Sequence, residues 1–269
     1  MSRRGLLRGA GLAAAGTAAG AFGLPELERR FGWDHPPLSG GYAAADDNEG
    51  AVGTSSVRVR YFVETSRAQV ALTFDDGPAP RYTPQFLDVL DEARIPATFF
   101  LVGRNVRDHA GLVADRLGRH EVGNHSWAHR DLATLDLRAI QDDVRRTHAV
   151  IRERLGRTPT LLRPPYGHLG GSTVLAADSF GYDLVLWDRQ MHERRFAGNP
   201  AGQAGDIVGT VRPGSIILAH DAGDRRRLVA LGALRDIVKG VQARGFEFVT
   251  VSELIAGADV PSTPAAQSR

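Results

Sequence analysis

The chain has 269 residues, 33 basic and 31 acidic side chains, nine histidines and no cysteine. That length holds one domain of roughly 200–250 residues with tails, or two small ones, and 42% apolar with 24% charged residues is a globular composition. Without Cys there is no disulfide, thiolate zinc site or Cys nucleophile, and a formal charge of +2 makes no electrostatic case for nucleic acid.

At the N-terminus, Ser2-Arg3-Arg4-Gly5-Leu6-Leu7-Arg8 is a basic start followed by a weakly apolar run from Gly9 to Leu24. These sixteen residues, rich in Gly and Ala, are too short and too weakly apolar to span a bilayer. A charged start, an apolar stretch and Ala-x-Ala sites make an export signal, and the paired arginines resemble a bacterial twin-arginine signal. Cleavage after Ala21 removes Arg3, Arg4 and Arg8 and leaves 30 basic against 31 acidic residues. Cleavage as late as Ala45 leaves 28 against 28. The expected organisation is a signal over residues 1–21, a linker or N-terminal extension over 22–66, a folded domain over 67–256 and a flexible tail over 257–269.

Within that domain, β-like runs alternate with segments of helical period. The runs are Val70–Phe74, Thr98–Val102, Glu121–Asn124, Leu161–Arg163, Leu184–Trp187, Ser215–Ala219 and Phe246–Thr250. Several are continuously apolar, as parallel strands covered on both faces are. Helices are expected at Thr83–Ala93, at Asp136–Leu155 with Asp143, Arg145 and Arg146 outside, and at Arg226–Arg244. Roughly seven strands in a βαβ alternation imply a parallel sheet or an α/β barrel, with functional residues just after the strand ends.

Chemistry concentrates at those ends. After the first run stand Asp75 and Asp76, two adjacent carboxylates that repel unless a cation or a shared proton offsets them. After the third comes His125-Ser126-Trp127-Ala128-His129, two imidazoles four apart that would share a face on one helical turn. One Asp with two His supplies three ligands and leaves a position for water, the pattern of a catalytic zinc site. After the fourth, Arg163-Pro164-Pro165-Tyr166-Gly167 is a stiff turn whose first free N–H belongs to Tyr166, a plausible oxyanion donor. Arg163 can keep a carboxylate ionised. His220 closes the sixth run, placed as a general acid or a loop residue.

Thr73–Pro78, His125–His129, Arg163–Gly167 and Leu218–His220 together resemble four of the five motifs of the NodB-homology polysaccharide deacetylases, carbohydrate esterase family 4. The resemblance covers about residues 68–256 and implies a distorted (β/α)7 barrel that removes acetyl groups from N-acetylglucosamine polymers, or O-acetyl groups from xylan. It further implies Asp75 as general base, Asp76, His125 and His129 as ligands of a divalent metal (Zn²⁺ foremost, Co²⁺ or another ion also suiting the set), Arg163 as the group orienting Asp75, Tyr166 N–H as oxyanion donor and His220 as general acid. The implied partner is an acetylated glycan, with no nucleic acid and no stable membrane span after processing.

The fifth motif departs from the family. Trp187-Asp188 fits its start, but Glu193-Arg194 stands where Asp-Trp is expected. Either Glu193 or Asp188 then serves His220, and Arg194 alters one wall of the groove, which Trp187 and Pro165 also shape. An O-acetyl esterase or amidase, and a catalytically silent glycan-binding module, are the alternatives these residues leave open. The sequence assigns no oligomeric state.

Overall fold

A computed structural model of the chain describes residues 56–258. The expected signal, most of the linker and the tail from residue 259 lie outside the described residues. Nine strands form one sheet: β1 (Val59–Arg60), β2 (Gln69–Asp75), β3 (Thr98–Leu101), β4 (Glu121–Asn124), β5 (Leu161–Leu162), β6 (Asp183–Val185), β7 (Arg189–Gln190), β8 (Ile216–His220) and β9 (Glu247–Val249). Their order is β1-β6-β5-β4-β3-β2-β8-β7, with β9 beside the first half of β2, and every ladder is parallel. The helices are α1 (Thr83–Ala93), α2 (Gly103–His109), α3 (Leu137–Leu155), α4 (Gly171–Ser179), α5 (Pro200–Thr210), α6 (Leu228–Ala243) and α7 (Val251–Ala256). None is long and apolar enough to cross a membrane. The sheet curls with helices on its outside, which is the distorted (β/α)7 barrel expected.

Alternation along β2 sets up both sides. Val70, Leu72 and Phe74 pack outward in a cluster with Phe86 and Leu90 of α1 and Leu234 and Ile237 of α6. Ala71 points the other way, into a cluster with Phe100, Leu161, Val185 and Ile216. Thr73 and Asp75 share the phase of Ala71, so the pleat delivers Asp75 to the interior. A third cluster, with Ile140, Val144 and Leu184, seats α3 and α4 on β5 and β6.

The folded region begins before the expected boundary at residue 67. β1 pairs with β6, Val63 is buried, and Val63 N–H donates to Gly214 O at 2.9 Å. Gly214 has φ of 80°, and a Cβ there would lie 1.7 Å from the Val63 carbonyl oxygen, so only glycine admits this crossing. β1 has two residues and too short an alternation to signal itself. The sequence also carries no clear signal for α2, α4, α5 and α7: α2, α4 and α7 are short, α5 is rich in Gly and Ala, and packing rather than periodicity holds them.

Candidate metal and catalytic site

The carboxyl ends of β2, β4, β5, β6, β7 and β8 meet over one cleft of about 540 Å³. Asp75 and His220 are register partners on the neighbouring strands β2 and β8. Asp76 follows with φ of 79°, and this left-handed turn brings the second carboxylate round to the same pocket instead of the opposite face. Asn105 Nδ2 of α2 donates to Asp76 O at 2.8 Å and holds the turned peptide.

The two imidazoles arrive by a tight loop, which corrects the expectation of a helical turn. Ser126 and His129 have φ of 67° and 56°, outside the helical region. Ser126 Oγ accepts His129 N–H and Asn124 Oδ1 accepts Ser126 N–H, each at 3.0 Å. Asp143 accepts Trp127 N–H and, at 3.3 Å, an Arg130 N–H. Asp143 is thus buried beneath the loop, whereas the sequence placed it on the outside of α3. It sits three residues from Ile140 and one from Val144, on the face that packs inward.

Among the described residues, Asp76, His125 and His129 are the group whose ligand atoms lie within 4.8 Å of one another. Asp76 Oδ1 is 3.5 Å from His125 Nε2 and 3.1 Å from His129 Nε2. Ligand atoms about 2.0–2.1 Å from a tetrahedral zinc lie about 3.3 Å apart, so the set fits such an ion. Two of these atoms, Asp76 Oδ1 and His125 Nε2, are buried without a hydrogen-bond partner. His125 Nδ1 donates to Arg163 O at 2.7 Å, which leaves Nε2 as the ligating nitrogen. Burial raises the Asp76 pKa, but the two imidazoles beside it outweigh that and hold the carboxyl well below the usual range. For His125, burial lowers the pKa while Asp75 and Asp76 overcome it and hold it above the ordinary imidazole value.

Arg163 is wholly buried and its guanidinium is bonded throughout. Nε donates to Val185 O at 3.0 Å, NH1 to Asp75 Oδ1 at 2.7 Å and Thr73 Oγ1 at 2.8 Å, and NH2 to Leu186 O at 3.0 Å. Its plane lies 4.0 Å over the Phe100 ring. One Asp75 oxygen is therefore fixed by Arg163, while Oδ2 lies 3.6 Å from His125 Nε2.

His220 Nδ1–H donates to Glu193 Oε1 at 2.8 Å, which presents Nε2 to the cleft. Burial raises the Glu193 pKa, yet the His220 hydrogen bond and charge, with Arg227, hold it below the usual value. Asp188 does not reach His220: its carboxylate accepts from Ile216 N–H at 2.9 Å, Ser215 Oγ at 3.1 Å and Arg212 Nε at 3.3 Å, tying the end of β6 to β8. Tyr166, with φ of 62°, sets its ring against His129 at 4.8 Å. Trp187 lines the cleft and lies so close over the turn that a Cβ on Gly167 would meet it at 2.8 Å. Pro165 is buried in the turn rather than on the cleft wall, so it acts by stiffening the chain before Tyr166.

The sequence did not single out Arg227, which donates to Asp76 Oδ2 and, at 3.0 Å, to Ala222 O. One arginine in the run Arg225-Arg226-Arg227 carries no periodicity to mark it. Asp221 follows His220 directly. It is fully buried against Gly77, accepts from Thr83 Oγ1 at 2.5 Å and leaves Oδ1 without a partner. Burial pushes its pKa up to about 7. A folded pKa above the unfolded value means stability present below about pH 4 and lost as pH rises through about 7. In chelator-treated protein, Asp221→Asn is expected to raise Tm by about 5–10 °C at pH 8 and to leave it nearly unchanged at pH 4.5, read by calorimetry.

With this geometry, the peptidoglycan-N-acetylglucosamine deacetylase of Bacillus cereus is a relative at 36% identity over 201 residues, 73% of this chain and 92% of that protein. The chain belongs to the polysaccharide deacetylase family. The profile of that family matches residues 62–185. A crystal structure of a peptidoglycan N-acetylglucosamine deacetylase in complex with 4-naphthalen-1-yl-N-oxidanyl-benzamide aligns with a TM-score of 0.71 at 27% identity, over 75% of this chain and 94% of that one. A family 4 acetyl xylan esterase from Clostridium thermocellum, in complex with a cobalt ion, aligns at 0.63 and 33% identity over 70% of this chain and 90% of that one. The family is one of polysaccharide-deacetylating hydrolases, and the barrel here is the one its solved structures share.

Proposed function

We propose that the protein is an exported, divalent-metal-dependent hydrolase that removes N-acetyl groups from an N-acetylglucosamine-containing glycan of peptidoglycan or chitin type and releases acetate. The observation that carries this reading is the Asp76–His125–His129 cluster with Asp75 beside it, one Asp75 oxygen fixed by Arg163 and the other 3.6 Å from His125 Nε2. Export rests on Arg3-Arg4 and the apolar run behind them.

Zn²⁺, Co²⁺ or another divalent ion held by Asp76, His125 and His129 would supply a Lewis acid that acidifies water and polarises the acetyl carbonyl. Asp75 accepts the proton of the attacking water; Arg163 keeps it ionised and aimed. Tyr166 N–H, presented by the Pro164-Pro165 turn, donates to the oxygen that becomes negative as the carbonyl carbon turns tetrahedral. An amine leaves poorly unless protonated, and His220, steadied by Glu193, donates that proton from Nε2. Trp187 and Tyr166 give the sugar ring two aromatic walls.

Acetate release from chitooligosaccharides and peptidoglycan strands, with Zn²⁺ or Co²⁺ added, tests the reading; no acetate from any acetylated glycan would overturn it. Comparing N-acetyl with O-acetyl substrates separates it from an esterase, a reading that the similarity to an acetyl xylan esterase favours. Glu193→Gln is expected to lower kcat on N-acetyl substrates by about 10–100-fold, with the loss much smaller on O-acetyl substrates, whose alcohol leaves without an acid's help. Asp188→Asn, by contrast, should register in thermal stability.

A further inference from the structure

Deepening that reading, we infer that Arg194 and Arg195 form a subsite for a carboxylate carried on a sugar next to the one deacetylated, so the favoured substrate is an acidic glycan rather than neutral chitin.

Both side chains line the cleft beside His220, and both are exposed. The other charges on the cleft wall, Asp224 among them, have partners within the protein. Asp75 is bonded to Arg163, Glu193 to His220, and Arg227 to Asp76. Among the described residues, neither Arg194 nor Arg195 is in a salt bridge, and the Arg195 guanidinium meets only the Phe196 ring, 5.4 Å away.

The turn that carries them is fixed at both ends. Met191 N–H donates to Leu218 O at 3.0 Å, and Met191 O accepts from Gln203 Nε2 at 2.6 Å. Glu193 is buried on His220, and Arg195 N–H closes back on His192 O at 2.8 Å. The backbone that carries the two adjacent arginines is therefore set before the ligand arrives, which lowers the cost of binding. A neutral acetylated glycan offers them hydroxyls and amides alone. A carboxylate matches the planar fork of arginine donors with two charge-assisted hydrogen bonds. The family's aromatic at position 194 would stack on a sugar ring; arginine there exchanges stacking for charge.

The test uses paired substrates of equal length: N-acetylated strands with lactyl carboxylates on alternate sugars, strands with uronic acids in that place, and both after reduction of the carboxylates to alcohols. Wild-type protein is expected to favour one carboxylated strand over its reduced partner by about tenfold in kcat/KM, and salt should erode the preference. Arg194→Gln combined with Arg195→Gln should bring the ratio below about twofold, with circular dichroism and metal content as in wild type. Whichever carboxylate carries the preference identifies its source. Equal rates on each pair, or a preference that survives the double substitution, overturn the inference. Calorimetric binding of the same strands to Asp75→Asn protein reads the subsite even if no acetate appears, so a failure of the hydrolase reading and a failure of this one are told apart.

Discussion

Asp75→Asn is expected to lower kcat by about 10³-fold, within the 10²–10⁴ range of a lost general base, while the protein still binds one equivalent of divalent metal. Two features make the substitution clean. Asparagine keeps an oxygen at the position that accepts Arg163 NH1 at 2.7 Å, and Arg163 retains its bonds to Thr73, Val185 and Leu186. What is lost is the negative charge and the basicity of the second oxygen. Removing one charge of a buried pair leaves the other uncompensated, so a stability loss of about 3 kcal/mol accompanies the change. Rates are therefore to be measured well below the variant's melting temperature, beside elemental analysis of bound metal. Turnover within tenfold of wild type would remove Asp75 from the role of base.

His129→Ala gives the complementary result: metal affinity falls by at least about 100-fold and turnover falls with it. His129 is the better probe of the two imidazoles. Its side chain is 26% exposed, so its removal opens no deep cavity. His125 is fully buried and also donates to Arg163 O, so His125→Ala combines loss of a ligand with loss of packing. Titration calorimetry with Zn²⁺ and Co²⁺ separates the variants, since Asp75→Asn should bind as wild type does and His129→Ala should not. Partial recovery of His129→Ala turnover at high metal concentration is the further expected result. Wild-type metal affinity in His129→Ala would place the ion elsewhere.

Much of this site was legible because its parts lie at strand ends, where a short apolar run stops at a polar residue. Asp75, His125, Arg163 and His220 each follow or close such a run, and register then makes Asp75 and His220 neighbours. The departures have local causes. The His125–His129 spacing suits a helical turn, but backbone N–H hydrogen bonds to the Asn124, Ser126 and Asp143 side chains fold the segment into a loop with two left-handed residues. Asp143 looked like one partner of an outward charge pair because Arg145 and Arg146 follow it, and only the packing of α3 shows which face is covered. The choice between Glu193 and Asp188 turned on the path of the chain after β6, where both lie within a few residues of Trp187. Asp221 opens the bend after β8 and Arg227 ends the short 3-10 turn before α6, and neither segment is long enough to leave a periodic trace.

The sequence alone determined the alternation of strand and helix, the parallel sheet and the residue types at each strand end, because pleat and helix periods write the burial of each side chain into its spacing. Tertiary structure alone decided that Asp76 turns back beside Asp75, that Glu193 and not Asp188 holds His220, and that Arg227 reaches Asp76. Those contacts join segments up to 151 positions apart, and their geometry depends on loop backbone angles that no local pattern fixes.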